Sequence, residues 1–458
     1  MDTFDVVVIG GGPGGAAAAR ELASAGKSVA IIENAHWGGV CLNCGCIPTK
    51  MLLGATACGA QLRAHKRLKT LSGDVVVDYA ALQTRIGRFL KGSSQALAKG
   101  LTALGVTLLE GTGTILGKGQ VLLKAADGSE RTLSCADIVL ACGSSSAAFP
   151  GLTPDHDCVL DSTDLLRIPA IPESLVIVGA GAIGLEMADF FAAMGGKVTV
   201  VEAAPHIAPQ EDADIAKEML RAVGKNGIDC LEGVKAASLK TVDGHAELTL
   251  EDGRVITAAK ALVAVGRTPN TAGLQAEKAA CRLNRRGFVE VDACLEAAPG
   301  VYAVGDVNGI TLLAHAAEHQ AAYVARRICG QEKGPYEPGP VPSCIYGSVE
   351  LMRAGVTAGE LLREGRNVEV SQVPLSLNPI AQAYAGTAGM VKAVWSDGKL
   401  MGIAAVGHGV SHLITVAQLL IKEGYTTDRL HEIMFAHPTL DEIIPAALRA
   451  PRIAVTAA

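Results

Sequence analysis

Short apolar runs of Val, Ile and Ala recur along the chain, several ending in glycine and leading into segments spaced for a helix. The stretch "DVVVIGGGPGGAAAARELASAGKSVAIIE" reads as strand, glycine turn, helix, strand. Its strands show no alternation of polar and apolar positions, the pattern of parallel strands buried on both faces. The unit recurs as "SLVIVGAGAIGLEMADFFAAMGGKVTVVE". Two more runs, "ADIVLACGSSSAAFPG" and "KALVAVGRTPN", each carry a buried strand into a glycine turn, which suits a chain crossing between domains. "GVYAVGDV" delivers Asp306 at a strand end, where a helix N-cap or turn residue is an equally open reading. The pattern changes after "GQEKGPYEPGPVPS", whose Pro and Gly density marks a linker. From about Val341 no glycine fingerprint remains, and short strands mix with the helical "SHLITVAQLLIKEGY". This predicts an α+β domain serving assembly.

The two repeated units carry chemistry. Gly10-x-Gly12-x-x-Gly15 and Gly179-x-Gly181-x-x-Gly184 each sit at the strand-to-helix turn, with Glu33 and Glu202 at the end of the following strand and at the same separation from the first glycine. Such glycines allow a tight turn and close backbone approach to a pyrophosphate, the helix N-terminus offers amide donors, and the carboxylate accepts from ribose hydroxyls. Two dinucleotides are therefore expected, with electrons passing between them. Glu202 is followed by "AAPH", with no arginine to meet a 2′-phosphate, so NAD(H) is favoured over NADP(H).

Composition narrows the class. A chain of 458 residues is too long for one ordinary core and predicts about two to four domains. Net charge is −6 with both signs interspersed, which disfavours nucleic acid as a partner. Twelve cysteines in so long a chain do not make a secreted disulfide scaffold, and a reducing cytoplasm fits better. No run reaches the roughly 18 uninterrupted apolar residues of a membrane span, and no targeting segment is read at the start.

Three of the cysteines crowd into "GGVCLNCGCIPTK". Cys41, Cys44 and Cys46 fit a metal site, a structural staple or a redox pair with a bystander, and spacing alone does not choose. A zinc or iron–sulfur set needs further ligands, and no second cluster exists. No metal is expected. The remaining nine cysteines are scattered singly, and most are expected to be buried packing residues.

The ordered set of motifs, from Gly10–Glu33 through "GGVCLNCGCIPTK", Gly179–Glu202, "GRTPN" and "GVYAVGDV" to "AHPTLDE", resembles the flavoprotein disulfide reductases over essentially the whole chain, and most closely their lipoamide branch. The resemblance implies an α/β protein with two Rossmann-like dinucleotide-binding domains plus a C-terminal α+β dimerisation domain. It divides the chain into an FAD-binding domain with the redox disulfide (1–147), an NAD-binding domain (148–268), a central segment completing the FAD site (269–338) and an interface domain (339–458). FAD and NAD are the implied cofactors, with Asp306 on the flavin ribityl chain and further cofactor contacts at Lys50, Gly143, Ala314 and Gly266.

The resemblance pairs Cys41 with Cys46 as the redox disulfide, Cys41 facing substrate and Cys46 the flavin, and leaves Cys44 a bystander. Lys50 and Glu186 match the family's ion pair beside the flavin, although each alone reads as a solvated helix residue. His437, oriented by Glu442, is the implied base, serving the other subunit of a homodimer; from spacing alone a His-Pro is a turn. The implied reaction is oxidation of dihydrolipoamide on a lipoyl-bearing carrier protein of a 2-oxoacid dehydrogenase or glycine cleavage system, with reduction of NAD+. Departures from the family pattern are Cys142, Val349, "AEHQAA" after His315, His408, His412 and His36-Trp37. Competing functions are NAD(P)H-dependent reduction of another low-molecular-weight disulfide or of mercuric ion, or a low-turnover redox-sensing subunit. The tail "LRAPRIAVTAA" lacks the cysteine pair expected of a mercuric reductase, and Ala182 stands where glutathione reductases place a tyrosine.

Overall fold

The computed structural model describes residues 2–456, which divide into two compact units. Among the described residues, the first comprises 2–48, 83–147 and 266–338; the second comprises 49–82, 148–265 and 339–456.

In the first unit the chain opens with strand Asp2–Ile9, turns through the glycines, and runs helix Pro13–Ser24 into strand Val29–Glu33. The central strands lie in the order Val301–Ala303, Glu130–Leu140, Asp2–Ile9, Val29–Glu33, Thr107–Glu110, all parallel. The apolar runs Val6–Ile9 and Val29–Ile32 within them are covered on both faces. Val7, Ile9, Ala30 and Ile32 pack with Ile138 and Leu140 on one side, while Val6, Val8, Val29 and Ile31 meet Ala18, Leu22 and Val324 on the other. Alanines at 16–19 let helix Pro13–Ser24 lie close to the sheet and to helix Ala314–Ile328.

The second unit repeats the device. Strands Ile228–Leu231, Lys197–Val201, Ser174–Val178, Lys260–Val263 and Val159–Leu160 form a parallel sheet, with helix Ala182–Ala193 between Ser174–Val178 and Lys197–Val201. A three-stranded antiparallel sheet, Ala236–Val242, His245–Leu250 and Val255–Ala258, packs on it through Leu239, Ala246 and Leu248. The C-terminal part is α+β: a six-stranded sheet in the order Pro342–Ile345, Glu350–Gly355, Lys399–Gly407, Gly389–Ser396, Val368–Pro374, Ile453–Val455, with helices Ile414–Lys422 and Ile443–Arg449 over a core centred on Trp395.

The expectation that most scattered cysteines are buried needs correction. Of those nine, Cys135, Cys158 and Cys281 are buried, Cys58 is exposed and five are half-buried. Cys142, Cys230 and Cys344 are among the half-buried, yet burial still pushes their thiols up, to about 12, 12 and 11.

Candidate active site

Both glycine turns are tight enough that side chains are excluded. Gly10 (φ +109°) and Gly179 (φ +105°) hold left-handed backbone, and a Cβ at either would drive into the carbonyl of Ala141 or Ala264. Gly15 and Gly184 pack their Cα against the carbonyls of Gly10 and Gly179. Gly181 faces open space. Each carboxylate closes its turn identically: Glu33 accepts from the N–H groups of Gly11 and Ala35, both at 2.7 Å, and Glu202 from those of Ala180 (2.7 Å) and Ala204 (2.8 Å). One lone pair on each oxygen then remains for a ribose hydroxyl. Beside Glu33 a cavity of about 530 Å³ is lined by His36, Trp37, Ser94, Glu110, Thr112 and Lys124 among others. The first unit thus offers a nucleotide-sized cavity, a pyrophosphate cradle and a ribose acceptor, and these residues fit FAD. The second turn repeats the cradle and acceptor, which fit NAD.

Asp306 lies in the short 3₁₀ turn Gly305–Asn308 after strand Val301–Ala303. Ser144 Oγ donates to its carboxylate, and Arg267 reaches both, with Nε 2.6 Å from Ser144 Oγ and 3.6 Å from Asp306 Oδ2. Sequence reasoning passed over Ser144 and Arg267, although both stand beside flagged glycines, Gly143 and Gly266. Gly143 accepts at its carbonyl from Asn270 N–H at 3.0 Å and Gly266 from Ala147 N–H at 3.0 Å, while Ala314 opens the helix Ala314–Ile328.

The cysteine motif forms two consecutive helices. Gly38, in left-handed conformation, starts helix Gly39–Cys44, which carries half-buried Cys41 and Cys44. Gly45 breaks the path, and exposed Cys46 opens the helix Cys46–Arg67. The amide end of a 22-residue helix favours a thiolate at Cys46. Lys50 follows by one turn, so it shares a face with Cys46. The helical segment 39–67 has the length and composition to cross a membrane, yet it holds the motif cysteines and Lys50, whose ammonium is paired with the buried Glu186. Among the described residues, no group of three or more His, Cys, Asp or Glu is placed to hold a metal ion.

Lys50 and Glu186 meet. Lys50 Nζ lies 2.9 and 2.7 Å from the two oxygens of Glu186, which is buried on helix Ala182–Ala193 and also accepts from the Tyr346 N–H at 3.1 Å. Burial raises the Glu186 pKa, and Lys50 offsets part of that rise.

His437 and Glu442 also meet, with Nδ1 3.0 Å from Oε1. The other oxygen of Glu442 accepts from the Thr439 N–H at 3.0 Å, and these two bonds hold its carboxyl below the usual range. The imidazole is 74% exposed, so with Nδ1–H donating to Glu442 the lone pair on Nε2 is presented outward. Of the departures from the family pattern, His408 Nε2 lies 2.6 Å from Gln61 Nε2, and His412 is exposed.

Residues 4–321 match the pyridine nucleotide-disulphide oxidoreductase family, and residues 341–448 match its dimerisation domain. The chain belongs to that family. It is an oxidoreductase that uses FAD and NAD(H) and acts on a disulfide, and its dimerisation domain supports a homodimer. A curated relative, the dihydrolipoyl dehydrogenase of Chlorobaculum tepidum, is 35% identical over 451 residues, covering 97% of this chain and 96% of the relative. The crystal structure of LpdA from Mycobacterium tuberculosis superposes with a TM-score of 0.89 at 26% identity, over 98% of this chain and 99% of that one. The HOCl-induced flavoprotein disulfide reductase RclA from Escherichia coli gives 0.84 at 26%, over 97% and 99%.

Proposed function

We propose that the chain is a dihydrolipoyl dehydrogenase, oxidising a protein-bound dihydrolipoamide and reducing NAD+. The observation that carries this reading is the full-length likeness to dihydrolipoyl dehydrogenases in a chain whose Glu202 is set to accept from an unmodified ribose.

In this reading Cys41 and Cys46 form the redox disulfide. A substrate thiolate attacks Cys41, forming a mixed disulfide and releasing Cys46 as thiolate; the second substrate thiolate then closes the lipoamide disulfide and frees Cys41. His437 takes the proton of the first attacking thiol at Nε2, releases it to solvent and then takes that of the second, and Glu442 stabilises the imidazolium formed each time. The helix N-terminus holds the Cys46 thiolate. Lys50, paired to Glu186, supplies fixed positive charge on the same helical face. FAD, held by Gly10, Gly12, Gly15, Glu33, Gly143, Asp306 and Ala314, supplies the two-electron relay when bound. NAD+ is held by Gly179, Gly181, Gly184, Glu202 and Gly266 and leaves as NADH.

The four-part division of the chain at 147, 268 and 338 belongs to this reading, as do His437 acting across the homodimer, a lipoyl-bearing carrier of a 2-oxoacid dehydrogenase or glycine cleavage system as partner, and a cytoplasmic location. The likeness to RclA supports a second reading, NAD(P)H-dependent reduction of another small disulfide. The discriminating experiment is steady-state oxidation of dihydrolipoamide by NAD+, run beside NADH- and NADPH-dependent reduction of a disulfide panel. Dominant dihydrolipoamide turnover supports the first reading; a tenfold or greater kcat/KM for another disulfide overturns it.

A further inference from the structure

The ion pair of Lys50 and Glu186 has a third member that the motifs do not include. Tyr346 holds the anion through its main chain, donating its N–H to Glu186 Oε1 at 3.1 Å, and faces the cation with its ring, whose centroid is 4.6 Å from Lys50 Nζ. A single residue thus contacts both charges, and the π face attracts an ammonium that is partly withdrawn from water. Tyr346 directly follows strand Pro342–Ile345, and the Cys344 thiol neighbours its phenol. Burial above all, with the neighbouring thiol and Glu186 adding to it, pushes the Tyr346 phenol well above its ordinary range. Both groups therefore stay neutral and add no charge to compete for Lys50.

Lys50 has reason to need this. Its side chain is 35% exposed, against 7% for Glu186, and a lysine stem is long and flexible. The carboxylate anchors the ammonium but leaves the stem free to swing about it. The ring of Tyr346 closes one of those directions.

We propose that Tyr346 is a positioning residue that fixes the Lys50 ammonium in the orientation its role requires. This rests on the reading of Lys50 as the cation that stabilises charge developing on the bound flavin.

The test uses FAD-loaded enzyme carrying Tyr346→Leu, Tyr346→Phe or Tyr346→Met, each made in wild type and in a Lys50→Met/Glu186→Gln background that removes the ion pair without stranding a buried carboxylate. The readouts are the midpoint potential of the bound flavin, by equilibration with reference dyes, and kcat and KM for dihydrolipoamide. Tyr346→Leu is expected to make the potential more negative and to lower kcat about three- to tenfold, with KM unchanged. Tyr346→Phe, which keeps the ring, restores most of both. In the background lacking the ion pair, Tyr346→Leu adds nothing further. A wild-type potential and kcat in Tyr346→Leu overturn the proposal, and so does an undiminished effect in that background. If Tyr346→Leu does not fold, Tyr346→Met, which also removes the ring, carries the same test, with a change of the same sign that vanishes when the ion pair is gone. If Lys50→Met/Glu186→Gln alone leaves potential and turnover at wild type, the role given to Lys50 has failed, a result distinct from failure of Tyr346 alone.

Discussion

Coenzyme choice is where a single side chain has the most predictable effect. Glu202 spends one lone pair of each oxygen on the N–H groups of Ala180 and Ala204, at 2.7 and 2.8 Å, leaving one per oxygen for the adenosine ribose. Glu202→Gln removes the charge and turns one acceptor into a donor facing a backbone N–H. Hydrogen bonds to a charged group contribute about 1.5–3 kcal/mol, so loss of one such contact lowers kcat/KM for NAD+ by roughly ten- to 150-fold at about 1.4 kcal/mol per decade. Damage to the turn itself falls equally on NAD+ and NADP+, because both coenzymes use the same glycines, and it cancels in their ratio. What remains in the ratio is the lost ribose contact and the relief of repulsion between carboxylate and 2′-phosphate, both of which favour NADP+. The NADP+/NAD+ ratio of kcat/KM is therefore expected to rise at least about tenfold. The assay is steady-state oxidation of dihydrolipoamide with each coenzyme, on protein of equal FAD content. An unchanged ratio would show that Glu202 only closes the turn and does not read the ribose.

Cys41→Ser or Cys46→Ser should abolish dihydrolipoamide turnover, whereas Cys44→Val should stay within severalfold of wild type, because exchange needs two linked sulfurs; a folded, flavin-loaded but inactive Cys44→Val would show that Cys44 is no bystander and takes part as a resolving thiol or metal ligand. His437→Gln should lower turnover by about 100- to 10,000-fold with FAD retained. Mixed with Cys46→Ser chains, it should regain up to about a quarter of wild-type activity, since each heterodimer has one intact site if the site is shared; verified heterodimers with no activity exclude a shared site. Lys392, 4% exposed and 2.8 Å from both Asp212 and Asp214, should cost about 3–5 kcal/mol as Lys392→Met, and the triple variant with Asp212→Asn and Asp214→Asn should recover most of it, by urea unfolding of flavin-loaded protein. Burial raises the Asp212 pKa, but Lys392 and the Gly359 and Ala358 N–H groups outweigh it and hold the carboxyl below its usual range. Its stabilising contribution is therefore complete above the unfolded-state value of about 3.9 and is lost as pH falls through the lower folded value.

What could be read from sequence was what local geometry dictates. The unbroken apolar runs at Val6–Ile9 and Leu175–Val178 become strand segments buried on both faces, and Gly10 and Gly179 occupy backbone that only glycine tolerates without strain. Contacts between residues distant in the chain were open to sequence only through the resemblance. Lys50 and Glu186 have no local pattern that pairs them, and His437 with Glu442 reads as a turn until the side chains are seen 3.0 Å apart. Ser144, Arg267 and Tyr346 were missed because a hydroxyl, a guanidinium and a ring carry no periodicity; their places beside Gly143, Gly266 and strand Pro342–Ile345 were the available signals. Burial of single cysteines was overread. An apolar composition sets the average environment, whereas Cys58 is exposed on its helix and others are half-buried.

The most direct test of the whole electron path is an anaerobic single turnover. Oxidised, FAD-loaded enzyme is mixed with one equivalent of dihydrolipoamide in the absence of coenzyme and then with NAD+. About one NADH per dithiol is expected in wild type, because two electrons leave the dithiol and two make the hydride, and none in Cys41→Ser. NADH formed at the wild-type rate by Cys41→Ser, or none formed by wild type that contains its flavin, contradicts the path from dithiol through Cys41 and Cys46 to NAD+.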